Sequence, residues 1–521
     1  MAVNEQERGH RLIKNSLLNI LNSLITLGVT SITSVVIART LKPSQYGIYN
    51  LVLWCTGIFV WIAGLGLIHV VTKYIAEYRG RGQGEVAGAI VSFVLRIELV
   101  LTIVLTAVLL FFKTEIADYF FSPQETFYFM LAFIGILPGI ISAIFSSAIE
   151  GIQKFEYFTW FHVIVGPLAF AAKMATILMG YRIDGLLCVS LFFSFINVLF
   201  YYIILKREKI ALHLFGGPKL SGEIKGKIRR YNWTVAGIMV SSKIVWDKSE
   251  NLFLGRFCSA EQIGYYNLGY NVAQRFMSIL PDTFWKVLFP AMSGYFGSGD
   301  QDKIKRVFFL ASRYLAFISF PVGVAGIVLA YPIIHYLYGD AYAGAKYVFQ
   351  IFFFSTMITS LSKPGSAILY GTERQSFILK YGLVLAVINL GLNFLIIPSY
   401  GAMGAAFCCA LVTMAGSIGG LIYTCRTVRL TYPFQSVFKI IFSSIIMGIC
   451  MKMVISQKAA LFGFIFSIPL GAIIYMVSAT VLGSFEEEDY ILMNKVKSVL
   501  PLRLQNVADS LIIFLSSFKT R

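Results

Sequence analysis

Lys243, Asp247 and Glu250 are spaced i, i+4 and i+7, so an unbroken helix would carry all three on one face. Arg275, Asp282 and Lys286 stand at i, i+7 and i+11, again one face, with Pro281 as an expected kink. Both sets lie in stretches otherwise apolar enough for a bilayer. Ionisable groups at that depth are costly and by default face a cavity or a partner. Arg96, Glu98, Lys173, Lys248, Arg313 and Lys363 sit in similar surroundings. Cations outnumber anions in these stretches, eight to four. A positive interior calls for an anion, and a diphosphate or an acidic sugar would supply it through charge-assisted hydrogen bonds. The expected anion-binding residues are Lys243, Lys248, Arg275, Lys286, Arg96 and Arg313. Asp247, Glu250 and Asp282 are the expected sites for a coupling proton or Na⁺.

Each group also has a plainer reading. Lys243–Asp247 and Asp282–Lys286 satisfy themselves if they pair within their helices. Arg96 and Arg313 lie close enough to a membrane face to snorkel. Asn15, Asn19 and Asn22 form one polar face that suits ordinary helix–helix bonding. Lys363, beside Pro364, is placed to cap a freed carbonyl.

The elements that must position these groups follow from composition. The chain has 521 residues, 57% hydrophobic and 13% charged, with mean hydropathy +0.74. A soluble domain carries about 25% charged residues, so lipid must be the solvent of this one. The net charge of +18 does not point to nucleic acid, because the basic residues sit in short loops with no nucleic-acid motif. The seven cysteines show neither metal-ligand spacing nor a disulfide framework, and no metal site is expected. The polar start runs directly into an apolar segment, which is expected to remain as a signal anchor. No Walker-A phosphate-binding sequence is present, so drive is expected from an ion gradient, the membrane potential or product removal.

A span needs roughly 20 apolar residues. About fourteen such stretches can be placed, among them 13–37, 46–72, 232–255, 265–292, 308–337, 343–370, 377–398 and 402–425. Lys and Arg gather in alternate loops, most densely from Lys206 to Arg230, which puts both termini on the cytoplasmic side of a cell membrane. Arg39…Gln45-Tyr-Gly47-Ile-Tyr49-Asn50-Leu51 matches Arg256…Gln262-Ile-Gly264-Tyr-Tyr266-Asn267-Leu268 at an offset of 217. The same offset pairs Tyr78, Gly80 and Gly82 with Tyr295, Gly297 and Gly299. The fold expected is therefore all-α, with two pseudo-symmetric six-helix lobes pointing the same way and a further helix pair. The divisions are 1–205, a basic linker 206–230, 231–430, the extra pair 431–483, and an amphipathic tail 484–521 on the membrane surface. Parallel repeats of this kind place a substrate between lobes that rock to give alternating access.

The stretch from Asn15 through Ala38-Arg39-Thr-Leu-Lys-Pro-Ser-Gln-Tyr-Gly47 resembles the polysaccharide-transporter family of O-antigen (Wzx-like) flippases. So do Gly255-Arg256-Phe…Gly264-Tyr-Tyr266, Leu337-Tyr338-Gly339 and Ile397-Pro398…Tyr400-Gly401-Ala-Met-Gly404. The family is part of the multidrug/oligosaccharidyl-lipid/polysaccharide exporter superfamily. The resemblance implies export of a polyprenyl-diphosphate-linked oligosaccharide, with a cationic cavity at Lys243, Asp247, Lys248, Arg275 and Lys286 and no cofactor. It implies as partners that glycan lipid, membrane lipids, and glycosyltransferases and a polymerase of the same pathway. A peptidoglycan-precursor flippase, which also has fourteen spans, and an ion-coupled multidrug antiporter are the alternatives on the same fold. The positive interior disfavours the antiporter. An enzyme is not expected, since the outer loops are short and the five His residues are scattered.

Overall fold

The structure is a computed structural model that describes residues 2–64, 66–121, 123–210, 212–213, 220–372, 374–456, 461–486 and 489. The side chains of Asn15, Asn19, Asn22 and Lys286 lie outside the described residues, as does the tail beyond Asp489. The described backbone is almost wholly helical and contains no strand. In chain order the helices are α1 (Ala2–Gly64), α2 (Leu67–Gly80), α3 (Gly84–Phe111), α4 (Lys113–Phe120), α5 (Thr126–Ile134) and α6 (Ile136–Gly151). They continue with α7 (Glu156–Leu178), α8 (Ile183–Arg207), α9 (Gly222–Trp246), α10 (Glu250–Phe257), α11 (Ala260–Gly297) and α12 (Gln301–Val328). The last are α13 (Ala330–Ile333), α14 (Lys346–Ser360), α15 (Lys363–Gly371), α16 (Gln375–Val428), α17 (Phe434–Ser456) and α18 (Leu461–Val481).

Two helices run through the expected turns between spans but kink there. α1 breaks at Lys42 (φ 59°, ψ 170°), where Pro43 has no N–H to continue the ladder. That left-handed backbone is costly for a lysine and holds only where its surroundings fix it. α16 breaks at Gly401 (φ 55°, ψ −134°), three residues past Pro398. Among the described residues nine helices are long and apolar enough to cross a membrane. The fourteen stretches exceed nine for two reasons. Two of these helices carry two expected spans each. Three expected spans fall short of the criterion: 232–255 and 265–292 carry charge, while 343–370 is cut into α14 and α15 by the turn at Leu361–Ser362.

Close packing divides the chain into two units. One comprises residues 1–267 with 382–405, the other 268–381 with 406–521. In the first, α6 packs on α2, α3 and α8, and α7 on α1. In the second, α12 is central, packing on α14 and α17, and α17 packs on α18.

Inside the first unit the internal repeat is visible as a reciprocal contact. Gly47 lies so close to the Ala260 carbonyl that a Cβ has no room, and Gly264 lies equally close to the Pro43 carbonyl. The offset of 217 turns Gly47 into Gly264 and Pro43 into Ala260. The two contacts therefore exchange with one another, as at a two-fold axis. Asn50 Nδ2 donates to the Tyr46 carbonyl at 2.8 Å, and its repeat mate Asn267 Nδ2 donates to the Ile263 carbonyl at 3.1 Å.

Candidate functional site

The segment 243–250 is where expectation and structure part. α9 stops at Trp246, Asp247 leaves helical geometry, Lys248 has φ 53°, and α10 begins at Glu250. Lys243, Asp247 and Glu250 therefore do not share one helical face. The break has a chemical result, because it frees backbone groups and turns Glu250 inward. Its side chain is 1% exposed. Tyr266 donates its hydroxyl to Glu250 Oε2 at 2.8 Å, and Asn389 Nδ2 approaches Oε1 at 3.3 Å. Asn393, one turn along α16, is fully buried as well.

A second ring of amides adjoins the first. Asn267 Nδ2 donates to Asn251 Oδ1 at 2.9 Å, and Lys248 Nζ approaches Asn267 Oδ1 at 3.4 Å. Asn389 Nδ2 also donates to Ser249 Oγ at 3.0 Å. The whole set lies within the first unit. A buried carboxylate survives only with donors or a cation around it, and here the Tyr266 phenol and the Asn389 amide supply donors. The charge of Glu250 and Lys248 was legible in the sequence. Tyr266, Asn251, Asn267, Asn389 and Asn393 were not singled out as site residues, although Asn389 and Asn393 stand four apart in an otherwise apolar helix.

Lys243 pairs with Asp247 in this unit, and both remain partly exposed. Trp54 Nε1 approaches the Asp247 carbonyl at 3.4 Å. Arg96, on α3, turns its Nε to the Ser92 carbonyl one turn back at 3.2 Å. Lys173 is half-buried on α7.

In the second unit, Asp282 bonds Lys363 of α15 at 2.7 Å, with the two side chains 50% and 39% exposed. The pair expected within α11, Asp282 with Lys286, lies outside the described residues on its lysine side; the described partner of Asp282 is Lys363, which caps a carboxylate rather than a freed carbonyl. Arg275 is half-buried on α11 and engaged within the protein. Arg313 departs furthest from its expected role. Its side chain is 2% exposed and ion-paired with Glu486, Nη1 to Oε1 at 2.5 Å, and with Asp489. Tyr314 donates its hydroxyl to Asp489 Oδ1 at 2.9 Å. Arg313 neither snorkels nor stands open to an outside anion: the acidic turn after α18 supplies its counter-charge. The long chain separation hid those partners, since nothing local to residue 313 announces residues 486 and 489.

A sequence model of the family described as "polysaccharide biosynthesis protein" matches residues 36–347. A protein of Haloferax volcanii named as the probable flippase AglR is 21% identical over 279 residues, covering 52% of this chain and 55% of its own. The chain spans about half the length of the curated relatives it matches. Among solved structures, the lipid II flippase MurJ in an inward closed conformation superposes with a TM-score of 0.71 at 16% identity, covering 90% of this chain and 98% of that one. An inward-facing multidrug resistance MATE family transporter of the MOP superfamily gives 0.65 at 15% identity, covering 80% and 98%. These likenesses establish an all-α, multi-pass membrane fold shared with those transporters.

Proposed function

Because the chain belongs to the polysaccharide biosynthesis protein family, we propose that it is a flippase moving a polyprenyl-diphosphate-linked oligosaccharide across the cytoplasmic membrane by alternating access. The observation that supports the reading is a pair of lysines, each held in a partly exposed ion pair. Lys243–Asp247 and Lys363–Asp282 are partly exposed, so an incoming diphosphate can take either lysine from its carboxylate. Lys248, at the break between α9 and α10, and Arg275, on α11, add positive charge. The head group crosses in water-filled protein while the polyprenyl chain stays in lipid. Glu250, in its amide setting, is the coupling-ion residue of this reading; Asp247 and Asp282 already answer to lysines. Both termini lie on the cytoplasmic side, as the loop charges suggest.

Charge reversal tests this. In proteoliposomes loaded with a fluorescent polyprenyl-diphosphate oligosaccharide, Lys243→Glu and Arg275→Glu are expected to abolish translocation while insertion and melting stay near those of the parent. Full translocation by both variants would remove the cationic site from the mechanism. One observation favours a second reading, a peptidoglycan-precursor flippase. The fold likeness to the lipid II flippase extends over 90% of the chain, against 80% for the drug transporter. Presenting lipid II and a polyprenyl-diphosphate glycan of different sugars to the same vesicles separates the two.

A further inference from the structure

Glu98 lies midway along α3 at 0% exposure, and neither carboxyl oxygen has a hydrogen-bond partner among the described residues. Thr102 and Thr106, one and two turns further along, likewise carry buried hydroxyls without a partner. The three side chains follow one another along one side of the helix at four-residue steps. Nothing in the transport reading uses them.

Among the described residues the neighbours do not supply a counter-charge. α3 packs on α1, α2, α4, α5 and α6. α2 brings His69, Lys73, Glu77 and Arg79, and α6 brings Glu150 at its far end. The described part of α1 brings Arg39 and Lys42 beside its kink, α4 brings Lys113, Glu115 and Asp118 past the end of α3, and α5 has no charged residue. His213 and, on α9, Lys225 also meet α3, at Ser92 and Phe93, and none of these groups bonds Glu98. On α3 itself, Arg96 is turned to the Ser92 carbonyl and Glu85 stands in the first turn.

We propose that Glu98 is a proton-binding site in the membrane interior: its carboxyl group holds one proton in this conformation and releases it when movement of α3 admits water or a base. An isolated carboxylate in apolar surroundings is the most costly state open to this residue. A proton removes the charge using a single oxygen. A metal ion would need several converging oxygens, and α3 runs unbroken from Gly84 to Phe111, so its backbone carbonyls are already spent in the helix. This sets Glu98 apart from Glu250, whose helix is broken. The site does not depend on which glycan, if any, is carried.

The test needs no substrate. N,N′-Dicyclohexylcarbodiimide adds the O–H of a protonated carboxyl group across its C=N bond, oxygen to carbon and hydrogen to nitrogen, so labelling reports the proton. With the full chain in lipid nanodiscs at neutral pH, the peptide carrying Glu98 is expected to gain the reagent's mass, and Glu98→Gln to lose that label. Infrared spectra of the same samples should show a protonated-acid C=O band that disappears in Glu98→Gln, and this band decides the matter if the reagent does not reach the site. Glu98→Gln should melt no lower than the parent, because an amide replaces a neutral acid of the same shape. Acid-region spectra that superpose for parent and variant, or a lowered melting temperature in Glu98→Gln, would overturn the proposal.

Discussion

Glu250 and Glu98 are both fully enclosed, and their surroundings could hardly differ more. Glu250 opens a helix at a break and receives a phenol and an amide; Glu98 sits in mid-helix with no donor among the described residues. The donors around Glu250 are therefore expected to be costly to remove. Tyr266→Phe takes one away and leaves the carboxyl group short of a partner, which costs about 1–3 kcal/mol for a buried group. In a Tyr266→Phe/Glu250→Leu double variant the loss should be smaller than the sum of the single ones, because the two residues share one bond. Melting of purified protein in detergent measures both. Additive losses would mean that the hydroxyl and the carboxyl group do not act together. From sequence, the acids and lysines announced themselves by their rarity among apolar residues. The asparagines did not, because a single amide in a membrane helix usually serves helix–helix bonding. What makes these a site is their convergence from α10, α11 and α16, and one-dimensional spacing does not contain it.

At the level of the helix, hydropathy read existence well and continuity badly. The stretch 232–255 is one apolar run with charges in it, yet it folds as α9 and α10 with a left-handed residue between them. The turns at Lys42-Pro43 and Gly401 were legible because proline and glycine punctuate the backbone. The turn after α18 was expected as the start of a surface segment, but it reaches into the second unit instead. Lys439 Nζ donates to the Gly483 carbonyl at 3.0 Å, Ser436 Oγ donates to Glu486 at 3.2 Å, and Phe485 meets Phe317 edge-on with ring centroids 5.4 Å apart. These contacts carry Glu486 and Asp489 to Arg313. Ending the chain at Phe485 would strand that guanidinium, and removing one partner of a buried pair costs about 3–5 kcal/mol. Arg313→Met in the shortened chain should recover most of the loss, since an apolar side chain of similar volume needs no counter-charge. Equal melting temperatures for the full and shortened chains would show that the acidic turn bears no weight.

Across the molecule, the duplication was readable because a constant register of 217 links turns and helices far apart in the chain. The offset alone could not say where the copies touch. They do so at Gly47 with Ala260 and at Gly264 with Pro43, both within the first unit. Gly47→Val and Gly264→Val should each push backbone from backbone and lower stability by about 1–3 kcal/mol or more. Gly80→Ala, where a Cβ meets nothing within 4 Å, is the control and should melt close to the parent. If the valine variants match the control, the crossing is looser than drawn. The crossing also constrains ancestry. Each copy provides the small residue that makes room for its sister's carbonyl, so neither can enlarge its side alone. Descendants of the original gene fusion must keep both positions slender or alter the pair in concert, and a lone bulky replacement would mark a lineage in which the two arms have parted.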